Sequence, residues 1–273
     1  MRRPLPFDAL GGLMDFSKLN SATKYPSIYT HHKLGQRGML TDELGPFAEV
    51  NPQEIVYLRE KIDGTNTRVI VMPDGDYFIG SREELLHAKG DRIWNPALGI
   101  VDAVVGVAEE IVRYDGGRPL GMTDYATVFY LETYGGKITA QSKQYTGAGK
   151  VGFRMFDYAV IPLSTQEWDK VRIARWRDEE GGQQFGDLDD LKVTANAYGI
   201  PVVPNLGAMR MEELPTDLGG MLDLLQRNLP ETLVSLDEDG KGEPEGIVLR
   251  THDRSVISKA RFQDYRRTLR QRG

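Results

Sequence analysis

The chain has 273 residues, 40% of them hydrophobic and 27% charged, a balance near that of ordinary folded proteins that excludes a disordered or fibrous chain and allows a sizeable core. Its 34 Lys and Arg against 40 Asp and Glu leave a formal net charge of −6, which excludes a general electrostatic coat for nucleic acid but not a local basic patch. Without Cys and with only four scattered His, disulfides, thiolate zinc sites and cysteine nucleophiles are excluded, so any metal is expected on oxygen ligands.

No apolar run approaches the roughly 18 to 20 residues of a membrane span, and Met1-Arg2-Arg3-Pro4 lacks the apolar stretch of a signal peptide, so a cytoplasmic protein with no membrane partner is expected. There is no internal repeat, low-complexity tract or long linker, which suggests one compact body.

In chain order, the apolar run 55–58 leads into Arg59, Glu60 and Lys61, which places Lys61 between strands. The runs 67–72 and 77–81 around Pro73-Asp74-Gly75 read as a β-hairpin. Ala97, Val101, Val104, Ala108 and Ile111 make one apolar stripe and predict a helix over 97–114. The β-rich runs 126–132 and 153–161 are separated by loops at Gly135, Gly136 and the Gly147–Gly149 stretch. Ser164 with Glu167 reads as a capping box opening a helix that ends at Gly181-Gly182. Helices follow near 188–198, with Gly199 as the stop, and at 218–228; a polar flexible segment, 237–243, then precedes strand-like runs at 246–250 and 256–262. Strands with irregularly interspersed helices indicate an α+β fold rather than βαβ alternation.

Beyond residue 253, Arg254, Lys259, Arg261, Arg266, Arg267, Arg270 and Arg272 face a single acid, Asp264; this is either a phosphate-binding patch or a solvated basic end.

The most informative hexapeptide is Lys61-Ile62-Asp63-Gly64-Thr65-Asn66. A lysine at a strand end, beside an acid and a glycine that lets the backbone turn, can be a nucleophile once burial or a neighbouring cation favours its unprotonated form. The same residues could equally be surface charges bracketing a turn. Downstream stand Ser81-Arg82, Leu131-Glu132-Thr133-Tyr134-Gly135-Gly136, Phe156-Asp157, Glu245-Gly246-Ile247-Val248-Leu249-Arg250 and Ser258-Lys259-Ala260-Arg261. In content and order these resemble the motifs of the covalent nucleotidyltransferases, the superfamily of polynucleotide ligases and mRNA capping enzymes. They are most similar to the ATP-dependent RNA ligases of the RNA ligase 2 group.

That resemblance implies an adenylation domain of antiparallel sheets flanked by helices. It also implies an enzyme using ATP and Mg²⁺ or Mn²⁺ to join 5′-phosphate and 3′-hydroxyl RNA ends through lysyl-AMP and RNA-adenylate intermediates, in a setting of RNA repair. Lys61 would attack the α-phosphate, Glu60 would bond the adenine edge and Phe156 would stack on the base. Arg82, Lys259 and Arg261 would contact phosphate; Glu132 and Glu245 would serve ribose and metal. The family's last motif has a second lysine where this chain has Arg261, which keeps the charge but not the geometry. Asn66, five residues after Lys61, matches the RNA ligase 2 group, whereas DNA ligases and capping enzymes carry arginine there.

The expected layout is an N-terminal extension over 1–50, the adenylation domain over 51–265 and a basic tail over 266–273, with too few residues after Arg261 for an OB-fold domain. Lys24, Tyr25, Tyr29, His31, His32, Lys33 and Arg37 of the extension could contact nucleic acid or pack on the core; His31-His32 lacks further metal ligands, and His87 could be structural or near the nucleotide. The alternatives are a minimal DNA ligase, a capping-type guanylyltransferase, or a catalytically idle binder of nucleic-acid ends. The form of the RNA and any protein partner are left open.

Overall fold

The computed structural model describes residues 14–90, 93–114 and 123–272; the readings of Met1 to Pro4 and of Gly273 fall outside them. In chain order the described residues form α1 (Phe16–Ala22), β1 (Tyr29–Thr30), β2 (His32–Leu34), β3 (Leu40–Leu44), β4 (Ile55–Lys61), β5 (Thr65–Val71), β6 (Tyr77–Gly80) and β7 (Leu85–Ala88). Then come α2 (Ile100–Tyr114), β8 (Tyr125–Gly135), β9 (Val151–Pro162), α3 (Lys170–Asp178), β10 (Gln184–Phe185), α4 (Leu188–Ala197), β11 (Asn205–Arg210), α5 (Leu218–Asn228), β12 (Gly246–Thr251), β13 (Ile257–Arg261) and α6 (Phe262–Arg272). No described helix is long and apolar enough to cross a membrane.

The chain divides into two compact units rather than the one body the sequence suggests, and among the described residues each unit holds a hydrophobic core of its own. Unit 1 comprises Met1–Pro26, Thr65–Thr133 and Val151–Val202; unit 2 comprises Ser27–Gly64, Tyr134–Lys150 and Val203–Gly273.

Unit 1 is built on a sheet of order β10-β9-β8-β5-β6-β7. Residues Ile70, Phe78, Val128, Tyr130, Ala159 and Ile161 pack on Leu19 and Ala22 of α1 and on Ile173 and Trp176 of α3. Val69, Val71 and Ile79, which alternate with them along the strands, are buried as well, so both faces of the sheet are covered. The α2 stripe (Val101, Val104, Ala108, Ile111) is buried as expected, but α2 begins at Ile100, not at residue 97, because Leu98 and Gly99 take positive φ and break the run. The expected capping box is a 3-10 helix, Leu163–Glu167; the true cap is Asp169, whose side chain accepts the Arg172 N–H and starts α3.

In unit 2 the sheet order is β1-β13-β12-β4-β11, all pairs antiparallel except β1 with β13. One face, through Val56, Leu58, Ile247, Leu249 and Ala260, packs on Met221, Leu224 and Leu225 of α5 and Phe262 and Tyr265 of α6. Burying each such large side chain stabilises the fold by roughly 1.5–3 kcal/mol.

Further differences concern the ends of elements. Lys61 is the last residue of β4 rather than part of a connection, and β8 continues through Gly135, where a loop was expected. The 237–243 segment, expected to be flexible, is tethered where the Asp237 carboxylate accepts from Thr146 Oγ1 and the amides of Gly147 and Ala148. Residues 266–272 are the body of α6, not a tail: Arg266 pairs with Glu243, Arg267 with Asp264, and Arg272 with Asp42 at 2.6 Å. Within the 1–50 stretch, α1 belongs to unit 1 and β1 to β3 belong to unit 2. The α1 end is fastened by Arg177 Nη1 to the Ser21 carbonyl (2.6 Å) and by Gln183 Nε2 to those of Ala22 and Lys24 (2.8 and 2.9 Å).

Candidate active site

Strand alternation decides which side chains of unit 2 share a face. Val56, Leu58, Ile247, Leu249 and Ala260 face the core, so their neighbours Arg59, Lys61, Val248, Lys259 and Arg261 project from the opposite face. The register sets these into rows: Lys61, Gly246 and Arg261 form one, and Arg59, Val248, Lys259 and Thr30 the next. Outer members of a three-strand row lie about 10 Å apart, so four cations share a small area of one sheet face.

Gly246 is required at the centre of its row. A Cβ there would overlap the Ala260 carbonyl oxygen and come within 2.8 Å of Arg261 Cα.

Lys61 Nζ donates to Glu245 Oε2 at 2.5 Å, with side chains only 24% and 15% exposed. Arg261 Nε donates to Asp264 Oδ2 at 2.7 Å, which aims the guanidinium from a buried carboxylate. The Lys259 carbonyl accepts the His31 amide at 2.9 Å, fastening the strand that carries Lys259. Burial raises the pKa of Asp63 although Lys61 and Arg261 pull the other way, which sets this acid in the same neighbourhood. Glu60 points to the core side of β4, where its carboxylate accepts from Thr232 Oγ1 (2.5 Å) and the Leu233 amide (3.0 Å); the adenine contact expected of it would compete with both.

Unit 1 holds the other expected residues. Asn66 and Glu132 are directly paired across β5 and β8, and the Asn66 Oδ1 atom is buried without a hydrogen-bond partner. Phe156 on β9 is half-buried, with the Tyr25 ring perpendicular to it at 5.0 Å and the Tyr130 ring at 6.3 Å. Arg82 is exposed in the β6–β7 connection, 3.6 Å from Glu83. Sequence reasoning missed Arg68, which is buried and donates to the carbonyls of Ser81 (2.9 Å) and Asn20 (3.0 Å) and to the side chains of Thr23 and Asn20. Burial lowers its pKa to about 10, and its bonds fix the turn presenting Arg82. The signal was a charged residue inside the otherwise apolar 67–72 run.

Among the described residues no three His, Cys, Asp or Glu side chains converge on a metal position. Mg²⁺ needs no such cage, since it binds through one or two carboxylates, phosphates and water, and the carboxylates of Glu132 and Glu245 have the right hard-oxygen chemistry. The histidines lie elsewhere. His32 is bonded to Tyr265 Oη (2.8 Å) and the Thr216 carbonyl (3.0 Å), His31 is buried against Phe47, and His87 is buried between Tyr77 and Trp94.

The sequence profile of the RNA ligase family matches residues 54–266, more than three quarters of the chain. The chain belongs to the RNA ligase family. No curated protein sequence matches it. Solved RNA ligases resemble it in fold. An apo mutant of Naegleria gruberi RNA ligase aligns with a TM-score of 0.56 at 13% identity, over 100% of this chain and 64% of that one. Another mutant of that enzyme, with ATP and Mn, aligns with 0.51 at 13%, over 79% and 51%. An archaeal ATP-dependent RNA ligase aligns with 0.53 at 17%, over 89% and 49%. The chain therefore spans about half to two thirds of the length of these structures. The expected α+β nucleotidyltransferase architecture of an RNA ligase is the one observed.

Proposed function

We propose that the protein is an ATP-dependent RNA ligase in which Lys61 carries the adenylate. The observation that carries this reading is the placement of Lys61 at the end of β4, its amine bonded to Glu245 and in one row with Arg261, on a cationic sheet face. Lys61 Nζ attacks the α-phosphorus of ATP; a P–N bond forms, the P–O bond to the β-phosphate breaks, and pyrophosphate leaves. The amine proton passes to the Glu245 carboxylate. Lys259 and Arg261 stabilise the negative charge that builds on the α-phosphate, where preorganised cations are most effective.

Phe156 stacks on the adenine, and Arg82 contacts phosphate. Glu132 and Glu245 are the carboxylates that would hold Mg²⁺, which would supply charge neutralisation at the triphosphate. A 5′-phosphate oxygen of the RNA then takes the AMP from Lys61, forming a P–O–P bond as the P–N bond breaks. The 3′-hydroxyl finally attacks that 5′-phosphorus and expels AMP. Asn66, a neutral amide where DNA ligases carry arginine, supports RNA over DNA as the strand joined.

The test is incubation with ATP labelled at the α-phosphate and Mg²⁺, without polynucleotide, followed by a denaturing gel. Label stays on the wild-type chain and is absent from Lys61→Ala and Lys61→Arg. An unlabelled wild type, or a labelled Lys61→Ala, overturns the assignment; a preference for labelled GTP would favour a capping-type enzyme.

A further inference from the structure

Lys61 ends a strand, a place where backbone ordinarily frays, yet the residues on both sides of it are anchored by parts of unit 2 distant in sequence. On the C-terminal side the Asp63 amide donates to the Tyr145 hydroxyl oxygen at 2.6 Å. Tyr145 is fully buried, its ring edge-on to Tyr134 at 4.9 Å. Burial holds its phenol in the neutral form, so the oxygen accepts from the amide while keeping its own proton.

Tyr145 is itself held. Its carbonyl accepts the Leu236 amide at 2.7 Å, and the three residues after it, Thr146, Gly147 and Ala148, all donate to the Asp237 carboxylate. Those bonds keep Asp237 ionised down to about pH 2. Gly240 has no room for a side chain because a Cβ there would overlap the Tyr145 carbonyl, so the 237–240 turn lies directly against this residue. On the N-terminal side, Glu60 accepts from Thr232 and Leu233 at the start of the same segment. The connections close a ring: Glu60 to 232–233, along the chain to 236–237, across to Tyr145, and back to Asp63. Lys61 sits in the short arc between its two attachment points.

We infer that Tyr145 is a positioning residue for adenylyl transfer: its hydroxyl oxygen fixes the Asp63 amide, and with it the backbone that aims Lys61, while Asp237 and Glu60 hold the frame in which Tyr145 sits. The inference rests on Lys61 being the nucleophile. In-line attack tolerates little displacement, and an error of about 1 Å costs on the order of 10²-fold in rate.

The test is Tyr145→Phe, which keeps the packed ring and removes the oxygen. Formation of lysyl-AMP at saturating ATP should slow by roughly 10- to 10²-fold with KM for ATP unchanged, the pattern of an interaction realised only in the transition state. Sealing of pre-adenylated RNA, which makes no bond to Lys61, should stay near wild type. Hydrogen exchange without nucleotide should show the Asp63 amide losing protection while the β4 amides of Leu58 and Arg59 keep theirs. Asp237→Ala, which leaves the Tyr145 ring intact, should give the same selective loss in weaker form. Adenylylation at the wild-type rate in both variants, or an equal loss of adenylylation and sealing, overturns the inference. A wild type that takes no label while the Asp63 amide still depends on Tyr145 would locate the failure in the nucleophile assignment instead.

Discussion

Glu245 and Lys61 meet because of register: Gly246 is the antiparallel partner of Lys61, so the residue just before β12 reaches the strand end where the lysine amine emerges. The pair puts a proton acceptor 2.5 Å from the proposed nucleophile. Glu245→Gln keeps the shape and removes the charge. Lysyl-AMP formation should fall by roughly 10²-fold, the scale for a group handling a proton or charge in the transition state. Single-turnover labelling with ATP measures it, and an unchanged rate would remove Glu245 from the first step.

Gly246→Ala should destabilise the protein itself. Its Cβ would overlap the Ala260 carbonyl, so β12 and β13 must move apart, at a cost of about 1–3 kcal/mol. A urea melt gives the loss directly, and melting like that of wild type would mean the strands adjust freely.

Asn66→Ala should leave stability within about 0.5 kcal/mol, since the amide oxygen has no partner to lose. It should still form lysyl-AMP but seal poorly. Pre-adenylated RNA is the substrate that separates the steps; wild-type sealing of it would take away the main support for RNA over DNA.

The basic end of the chain should matter less to RNA than its composition suggests. Arg266, Arg267 and Arg272 are paired with Glu243, Asp264 and Asp42, whereas Arg270 pairs with no carboxylate among the described residues. Arg270→Ala should reduce the slope of log affinity against log salt by about 0.7–0.9, the value of one phosphate contact, and Arg272→Ala should change it little. Binding titrations across a salt series decide between them.

His31 should make the fold sensitive to acid. Its ring is fully buried, neither nitrogen has a hydrogen-bond partner, and burial with the adjacent His32 lowers its pKa from 6.5 to about 4. Between those values the unfolded chain binds a proton that the folded chain does not, so stability falls as pH drops through the interval, by at most roughly 3 kcal/mol. His31→Leu should flatten that decline. Melting temperatures of both proteins from about pH 7 down to 4.5 test it, and an identical acid limb would assign the effect to other groups.

What the sequence made legible was local. The bounds of α5 are those expected for the 218–228 helix, and α4 ends at the residue before Tyr198, with Gly199, the expected stop, at positive φ. The start of α3 was misread because Ser164 and Asp169 both look like caps. Tertiary bonds from Asp15 and Lys18 to Gln166 hold the first candidate in a 3-10 turn. Among the candidate site residues, Lys61, Glu245, Lys259 and Arg261 could be singled out because their order along the chain is distinctive. Tyr145 could not: it acts on Asp63 from 82 positions away, through a hydroxyl that leaves no periodic trace. The Thr232 bond that engages the Glu60 carboxylate spans 172 positions and is equally silent.

The backbone enters each unit three times, and it passes from unit 2 to unit 1 between Gly64 and Thr65, inside the hexapeptide that begins with Lys61. A nascent chain leaving the ribosome therefore cannot finish either sheet early. Unit 1 waits for β10 near residue 185, and unit 2 waits for β13, which ends at Arg261. Domains encoded as continuous segments fold one after another as they emerge, whereas here β4 must remain without its neighbour β12 until the residues from Gly246 onward have been translated. Lys61 lacks its partner through that interval, because Glu245, which accepts from its amine, lies 184 positions further along the chain.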